Sequence, residues 1–327
     1  PGLHAVRASF SVSLMSTSPL LIRKAAVLGA GVMGAQIAAH FANAGIPALL
    51  FDLPAKDGDP NGLVTKAIAG LAKLEPAPLG AKDRAAMIEA CNYGSDLARL
   101  AECDLVIEAI AERLDWKQDL YHKIAPHLAP NAIVASNTSG LSLAALSGAM
   151  PEALRPRFCG VHFFNPPRYM YLVEIIAGPE TDPALLDGLE TLPTTTVGKG
   201  VIRAKDTPNF IANRIGIFSM LATIHHTQAF RLSFDVVDAL TGPAIGRAKS
   251  ATYRTADVVG LDTMAHVVKT MHDTLPDDPW HALFATPPVL AALVAQGALG
   301  AKTKAGFFRK VGKDIQVLDP VARDYRK

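Results

Sequence analysis

Three glycines between an apolar strand and a helical pattern constrain the fold of this chain more than any other feature. The apolar run at residues 25–28 leads into Gly29-Ala30-Gly31-Val32-Met33-Gly34, and apolar residues at helical spacing follow at once. In this context the first glycine permits a tight turn, the second lets the backbone approach a pyrophosphate, and the third lets the helix pack on the strand. The pattern predicts a nucleotide-binding strand-turn-helix unit.

An acidic residue closes the strand that follows this unit. The apolar run at residues 46–51 ends in Asp52, at the separation from the glycines at which a carboxylate would hydrogen-bond the hydroxyls of a ribose. A carboxylate there would repel a 2′-phosphate, which favours NAD over NADP as the cofactor. Because strand, helix, strand and acid all occur in order, a purely structural glycine turn is the weaker interpretation.

Strand and helix patterns alternate along the first half of the chain. Apolar runs at residues 104–109 and 132–135 are typical of buried parallel strands, and residues 114–128 between them have a helical pattern. Two amphipathic segments, 63–74 and 81–90, interrupt the alternation and are separated by a Pro- and Gly-rich linker. We therefore predict an α/β Rossmann-type N-terminal domain with a projecting helical hairpin.

The pattern changes near residue 205. Residues 194–198 have a strand pattern, whereas long helical patterns without intervening strands begin at 209–230. We expect an NAD-binding domain at residues 23–205 and an all-α C-terminal domain at 206–327. The second domain is expected to contribute to the substrate cleft and to a homodimer interface.

Composition and charge exclude several classes of protein. The 32 basic and 30 acidic residues give a net charge of +2 without a long basic run, so nucleic acid is not an expected partner. No apolar segment reaches the roughly 18 residues that a membrane span needs. The cysteines at 91, 103 and 159 form neither a metal-ligand cluster nor an even disulfide set, which predicts no metal site and favours a reducing, cytoplasmic location.

A histidine and a glutamate lie in two consecutive apolar runs. His162 belongs to the run at 161–164, and Glu174 follows twelve positions later within 172–176. If the runs are neighbouring strands, the carboxylate can hold one imidazole nitrogen while the other takes up a proton near pH 7. From these residues alone, a structural contact and a catalytic pair are equally compatible with the sequence.

Other polar residues also have both a structural and a functional interpretation. The cluster at 136–139 follows a strand, where ligands bind in open parallel sheets, yet Ser139 or Ser142 is equally suited to cap the next helix. Asn213, near the domain junction, is either a surface amide or a group that reaches the cleft. Lys66 and Lys73 lie on one face of a predicted helix, which is usually only a solvated surface.

Six motifs follow one another in a specific order. They are the glycine turn at 29–34, Ile107-Glu108-Ala109 with Glu112, Ser136-Asn137-Thr138-Ser139, His162-Phe163-Phe164-Asn165-Pro166, Glu174, and Lys205-Asp206-Thr207-Pro208 with Asn213-Arg214. Over about residues 22–310 this order resembles the L-3-hydroxyacyl-CoA dehydrogenases of fatty-acid β-oxidation. It is most similar to the dehydrogenase part of bacterial multifunctional β-oxidation proteins.

The resemblance implies a reaction and a role for each site residue. NAD would accept a hydride from carbon 3 of an L-3-hydroxyacyl-CoA, with His162 as the general base and Glu174 as its orienting partner. Ser139 and Asn213 would hydrogen-bond the substrate oxygens. The implied contacts to coenzyme A are Lys66 or Lys73. The implied contacts to NAD are Gly29, Ala30, Gly31, Val32, Met33, Gly34, Asp52, Glu112, Lys117, Ser139, Asn165 and Lys302.

The chain departs from the family pattern at several positions. Gly140 follows Ser139 where a second hydroxyl residue is common, and Asn209 replaces the usual glycine after Pro208. The segment 242–254 is longer and more basic than in the single-function enzymes, and we expect it to reshape the acyl pocket. Two alternatives stay open: a β-hydroxyacid or sugar-acid dehydrogenase without CoA specificity, and a catalytically silent NAD-binding protein.

The two ends of the sequence differ from the rest. Residues 1–22 are rich in serine and contain no acidic residue, and we interpret them as a leader or an artificially added segment. At the other end the chain continues beyond the family pattern through residues 314–318 and stops within a charged stretch. We expect it to be a piece of a longer polypeptide, fused to or partnered with an enoyl-CoA hydratase module.

Overall fold

The main β-sheet has eight strands. The computed structural model describes residues 20–319, 321–322 and 324–327, so residues 1–19 of the expected leader lie outside it. The strands are β1 (Ala25–Leu28), β2 (Ala48–Asp52), β3 (Ile88–Asn92), β4 (Leu105–Glu108), β5 (Ile133–Ser136), β6 (Phe158–Phe163), β7 (Leu172–Ala177) and β8 (Gly200–Ala204). Their order is β3-β2-β1-β4-β5-β6-β7-β8; β6 and β7 pair antiparallel, and the other neighbours are parallel.

Both faces of this sheet are buried, as the continuous apolar runs predict. Along β1 the side chains of Ala25 and Val27 belong to one hydrophobic cluster, whereas Ala26 and Leu28 belong to a second. Successive side chains of a strand point to opposite faces, so the two clusters are the two sides of the sheet. Helices pack on both faces of the sheet through these two clusters, which stabilises the sheet. The ends of the strands remain accessible to ligands.

The order of the strands creates a crevice at the end of β1. This strand pairs in parallel with β2 on one side and with β4 on the other, which places Leu28 opposite both Phe51 and Glu108. The chain therefore leaves β1 and β4 at adjacent points of the same edge. In open parallel sheets, ligands bind in the crevice beyond such a switch in strand order.

Helices make up most of the remaining structure. In the first part they are α1 (Val32–Asn43), α2 (Gly62–Leu71), α3 (Leu114–Ile124), α4 (Leu143–Ser147) and α5 (Pro183–Thr191). In the second part they are α6 (Ala212–Ala229), α7 (Phe234–Thr241), α8 (Tyr253–Val259), α9 (Leu261–Thr274) and α10 (Pro288–Ala295). The predicted Rossmann-type first part and helical second part are confirmed. No helix among the described residues combines the length and hydropathy needed to cross a membrane.

The second arm of the predicted helical hairpin is not an α-helix. Residues Lys82–Met87 form a 3-10 helix, and Ile88–Asn92 form β3, which pairs in parallel with β2 at the edge of the sheet. A short apolar run fits a helix or a strand, and pairing with β2 decides between them. The predicted strand at 194–198 is also wrong, because Leu192–Thr196 form a π-helical turn at the end of α5.

The second part is not purely helical. It ends in a three-stranded antiparallel sheet of β9 (Phe308–Val311), β10 (Asp314–Asp319) and β11 (Asp324–Arg326). A two-residue turn joins β9 to β10, and Gly312 takes a φ of +60°, which favours glycine. Val317 and Leu318 of β10 pack on the helical core, so the sheet extends that core beyond the expected all-α domain.

Buried His40 makes the folded state sensitive to acid. Burial lowers the pKa of His40 on α1 from 6.5 to about 4, and the nearby Lys199 ammonium adds to the effect. Between pH 6.5 and pH 4, His40 is protonated in the unfolded chain but neutral in the folded chain. The free energy of unfolding therefore falls as the pH drops through this range, by about 3 kcal/mol in total. We expect His40→Leu to reduce this pH dependence in urea unfolding measured at pH 7 and 4.5. An unchanged slope would contradict the assignment.

Candidate active site

The glycine turn after β1 leaves room for a dinucleotide. Gly29 has a φ of +103°, and a Cβ at Gly34 would lie 1.8 Å from the carbonyl oxygen of Gly29. A Cβ at Gly31 would meet no atom of the described part of the chain within 4 Å, so this position leaves space for a ligand. No side chain of the described residues caps the N-terminus of α1, so its first amides can bind an anion. The turn therefore fits the pyrophosphate of NAD.

Asp52 lies beside this turn at the end of β2. Its Oδ2 accepts a hydrogen bond from the Ala30 amide at 2.7 Å, and its Oδ1 accepts one from the Leu53 amide at 2.7 Å. Each oxygen keeps a second lone pair for a ribose hydroxyl. The carboxylate is thus held at the position that the sequence predicts for selecting NAD.

A fully buried carboxylate lies at the end of β4, next to β1. Glu108 accepts hydrogen bonds from Lys117 Nζ at 2.6 Å, Tyr121 OH at 2.9 Å and Ser136 Oγ at 2.7 Å. Lys117, an expected NAD contact, is only 1% exposed and also lies 3.4 Å from Glu112 Oε2. Its charge therefore supports two carboxylates from within the protein, and its contact with NAD stays a prediction.

Glu112 holds the turn that carries Ser139. Its Oε1 accepts hydrogen bonds from Thr138 Oγ1 at 2.5 Å, from the Ser139 amide at 2.8 Å and from the Gly140 amide at 3.0 Å. Burial raises the pKa of Glu112, but the Lys117 ammonium and these three donors outweigh it and keep the pKa below its usual value. An ionised Glu112 therefore fixes the Ser139 turn at the mouth of the crevice.

His162 connects Ser139 to Glu174. The imidazole Nδ1 lies 2.7 Å from Glu174 Oε2, and Nε2 lies 3.2 Å from Ser139 Oγ. His162 and Glu174 are direct cross-strand partners in the antiparallel pair of β6 and β7, so both side chains emerge on one face. The ring centroids of Phe164 and Phe210 lie 4.4 and 5.7 Å, respectively, from the centroid of the imidazole. The structure thus brings together three residues that the sequence separates.

Glu174 also binds the start of the second domain. Its Oε1 accepts hydrogen bonds from the amides of Ile211 at 3.0 Å and Ala212 at 2.8 Å, at the N-terminus of α6. Burial raises the pKa of Glu174, but the hydrogen bond from His162 and these two amides outweigh it and hold the pKa below its usual value. The carboxylate therefore stays ionised beside the imidazole, with one contact to β6 and two to the N-terminus of α6.

Two residues that the sequence analysis left without a role also shape the site. Asp206 accepts hydrogen bonds from Ser142 Oγ and from the amides of residues 143 and 144, and so ties the start of α4 to the domain linker. Asn137 accepts a hydrogen bond from the Phe163 amide at 2.9 Å, beside His162. The sequence does contain a signal for both residues: Asp206 is a polar residue shortly before an expected helix, and Asn137 is one directly after an expected strand.

The loop after β6 is fixed by cations from two sides. The buried Lys199 ammonium donates hydrogen bonds to the carbonyls of Pro167 and Met170. Arg168 Nη1 donates to the carbonyls of Ala77 at 2.8 Å and Leu79 at 2.9 Å, in the linker after α2. This loop contains the expected NAD contact Asn165, which accepts a long hydrogen bond of 3.4 Å from Gln36 on α1.

The remaining predicted residues lie around the cleft or farther away. Asn213 is partly buried in the first turn of α6, next to the amides that bind Glu174. Lys66 on α2 and Lys73 just beyond it are exposed and have no ion-pair partner among the described residues. Lys302 pairs with Asp262 at 2.6 Å on the second domain. No cluster of His, Cys, Asp and Glu suited to a metal occurs in the described part of the chain.

Two family profiles match the chain in succession. The profile of the 3-hydroxyacyl-CoA dehydrogenase NAD binding domain matches residues 24–207, and that of the 3-hydroxyacyl-CoA dehydrogenase C-terminal domain matches residues 210–310. The solved (S)-3-hydroxybutyryl-CoA dehydrogenase of Ralstonia eutropha is similar in structure, with a TM-score of 0.71 and 30% identity. That similarity covers 88% of this chain and 98% of the other.

Two bacterial relatives are more similar in sequence. A probable 3-hydroxyacyl-CoA dehydrogenase of Deinococcus radiodurans is 44% identical over 88% of this chain and 83% of its own length. A probable 3-hydroxyacyl-CoA dehydrogenase of Bacillus subtilis is 42% identical over 93% of this chain, which spans only 40% of that relative's length. The chain belongs to the 3-hydroxyacyl-CoA dehydrogenase family, whose members are NAD-dependent oxidoreductases.

Proposed function

We propose that this chain oxidises L-3-hydroxyacyl-CoA to 3-oxoacyl-CoA in fatty-acid β-oxidation. The observation that carries the proposal is the line from Ser139 through His162 to Glu174 beside the glycine turn. NAD, when bound, accepts the hydride that leaves carbon 3. The reaction also releases the proton of the 3-hydroxyl, and the imidazole is the group in the crevice suited to take it.

The contacts of His162 favour one tautomer. Glu174 is a carboxylate whose oxygens only accept hydrogen bonds, so the proton of the neutral imidazole lies on Nδ1. Nε2 is then free to accept the proton of a hydroxyl placed next to Ser139. The negative charge of Glu174 stabilises the imidazolium that forms, and its own two backbone contacts keep it from rotating away.

The substrate would extend from the His162 site across the protein surface. Ser139 and Asn213 would hydrogen-bond its oxygens, because one contacts the imidazole and the other lies in the helix turn next to Glu174. The phosphates of coenzyme A would meet Lys66 or Lys73, whose exposed ammonium groups lie on and just after α2. These contacts would hold carbon 3 near the nicotinamide while the acyl chain occupies the cleft.

The test is oxidation of NADH by the purified chain with acetoacetyl-CoA. We expect kcat/KM for acetoacetyl-CoA to exceed that for free acetoacetate by about 100-fold or more, because binding of the CoA part contributes to turnover. We expect NADH to be preferred over NADPH because of Asp52. Turnover of free 3-oxo acids alone would instead indicate a hydroxyacid dehydrogenase, and NADH binding without turnover would indicate a silent protein.

Several features of the whole protein are further proposals. The domain limits at 23–205 and 206–327, a homodimer through the second domain and a reducing, cytoplasmic location stay predictions. Because the chain spans 40% of the Bacillus relative, a longer polypeptide with an enoyl-CoA hydratase module also remains a proposal. Measuring the mass of the native polypeptide would test whether it is longer than this chain, and measuring the mass of its oligomer would test the homodimer.

A further inference from the structure

We propose that the side-chain amide of Asn209 donates a hydrogen bond to the thioester carbonyl oxygen of the acyl-CoA. This inference rests on the proposed function and adds a substrate contact that the sequence does not indicate. Asn209 is only 2% exposed, and its Nδ2 has no hydrogen-bond partner among the described residues. Buried donors are almost always paired, so an unpaired one beside a reactive centre points to a ligand.

The backbone around Asn209 is fixed on both sides. Before it, Asp206 binds the start of α4; after it, Phe210 packs on His162, and the amides of Ile211 and Ala212 bind Glu174. Asn209 itself has a φ of +60°, in the left-handed region that asparagine tolerates better than most residues. The amide is therefore held in place before any ligand arrives.

The side chain of Asn209 lies against the turn that carries Ser139. A Cβ built on Gly140 would lie 3.1 Å from Asn209 Oδ1, so the amide occupies the space that a side chain at position 140 would need. Gly140 directly follows Ser139, whose Oγ faces the Nε2 of His162. The Asn209 amide is thus one residue along the same turn from the group that faces the 3-oxygen.

The chemistry of the substrate assigns the second oxygen to Asn209. A 3-oxoacyl thioester has two carbonyl groups separated by one carbon, so a site for the 3-oxygen has the thioester oxygen close by. In the proposed reaction Ser139 and His162 face the 3-oxygen, and Asn213 is the other side chain assigned to the substrate oxygens. A carbonyl oxygen has two lone pairs, so the thioester oxygen can accept a hydrogen bond from Asn209 in addition to any contact with Asn213. A neutral amide donor suits the thioester oxygen, because this oxygen accepts hydrogen bonds but stays uncharged while hydride and proton are exchanged at carbon 3.

Replacing Asn209 with glycine separates this role from a structural one. Glycine takes the observed φ without strain, and its introduction removes a buried amide nitrogen that has no partner among the described residues. We expect kcat/KM for acetoacetyl-CoA to fall about tenfold or more, the Kd of NADH to stay within about twofold, and the Tm of the ligand-free protein to stay equal or rise. The matched control is Asn131→Gly, at an exposed turn before β5, which should leave kcat/KM unchanged.

A second substrate identifies the oxygen. S-(3-oxobutyl)-CoA keeps the 3-oxygen but has a methylene group in place of the thioester carbonyl, so its turnover should be nearly the same in wild type and Asn209→Gly. An equal loss with both substrates, unchanged kcat/KM, or a lower Tm with unchanged kinetics would overturn the inference. If wild type itself fails to reduce acetoacetyl-CoA, the proposed function fails instead.

Discussion

Replacing His162 with glutamine should lower kcat for acetoacetyl-CoA reduction by about 10³-fold, the expected contribution of a positioned general acid or base. Glutamine has a similar length but no group that exchanges a proton near pH 7, so it fills the space without the chemistry. The glycine turn and Asp52 lie on other strands and stay intact. NADH binding, measured by fluorescence titration, should therefore keep a Kd within about twofold of wild type.

The control for this variant is His225→Gln. His225 is exposed on α6 and has no place in the site, so its substitution should leave both kcat and the Kd of NADH unchanged. Substantial turnover by the His162 variant would show that another group moves the hydroxyl proton. A parallel loss of NADH binding would mean that the substitution damages the fold. In that case kcat would have to be measured on a more conservative variant of His162.

Replacing Glu174 with glutamine should lower kcat by about 10²- to 10³-fold, because it changes which nitrogen of the His162 imidazole carries the proton. If the side-chain oxygen of glutamine keeps the amides of Ile211 and Ala212, its NH₂ group faces Nδ1 of His162. The imidazole then accepts on Nδ1 and carries its proton on Nε2, where it cannot take a hydroxyl proton. The loss comes from the wrong tautomer rather than from an absent side chain.

The tautomer gives this prediction a direct readout. In ¹⁵N NMR spectra of labelled protein above the titration range, the protonated nitrogen of His162 should change from Nδ1 in wild type to Nε2 in Glu174→Gln. The matched control is Glu180→Gln, which removes a carboxylate from a surface pair with Arg155 and should change neither kcat nor the His162 signals. A variant with reduced kcat and an unchanged tautomer would contradict the orienting role of Glu174.

The features that the sequence predicts well depend on local signals. The glycine turn requires only a strand, a helix and the residues between them, and the steric reason for each glycine holds within a few residues. The pairing of His162 and Glu174 is also foreseeable, because two apolar runs with a short connection form an antiparallel pair. The sequence does not decide whether this pair is a structural or a functional contact. The observation that favours a functional one is that Ser139 faces the imidazole, which the sequence does not show.

The features that the sequence misses depend on contacts between distant segments. Residues 88–92 become a strand only because β2 offers an unpaired edge, and Lys117 turns inward only because Glu108 is buried beneath it. Gly140 and Asn209, separate departures from the family pattern, prove to be neighbours in space. Propensity and periodicity report on neighbours along the chain, so such pairs become visible only in three dimensions.

The ladder that joins β6 to β7 makes the reactive geometry independent of the segment between them. Because His162 and Glu174 face each other through strand pairing and both strands are buried, changes of length after Asn165, within residues 166–171, should change the turn but not the alignment of the pair. The sequence of this loop, which borders the cofactor side of the cleft, can therefore vary without disturbing the contact between His162 and Glu174. The aligned pair and the loop are therefore separable parts of the structure, so variation in the loop can change contacts on the cofactor side while the pair stays the same.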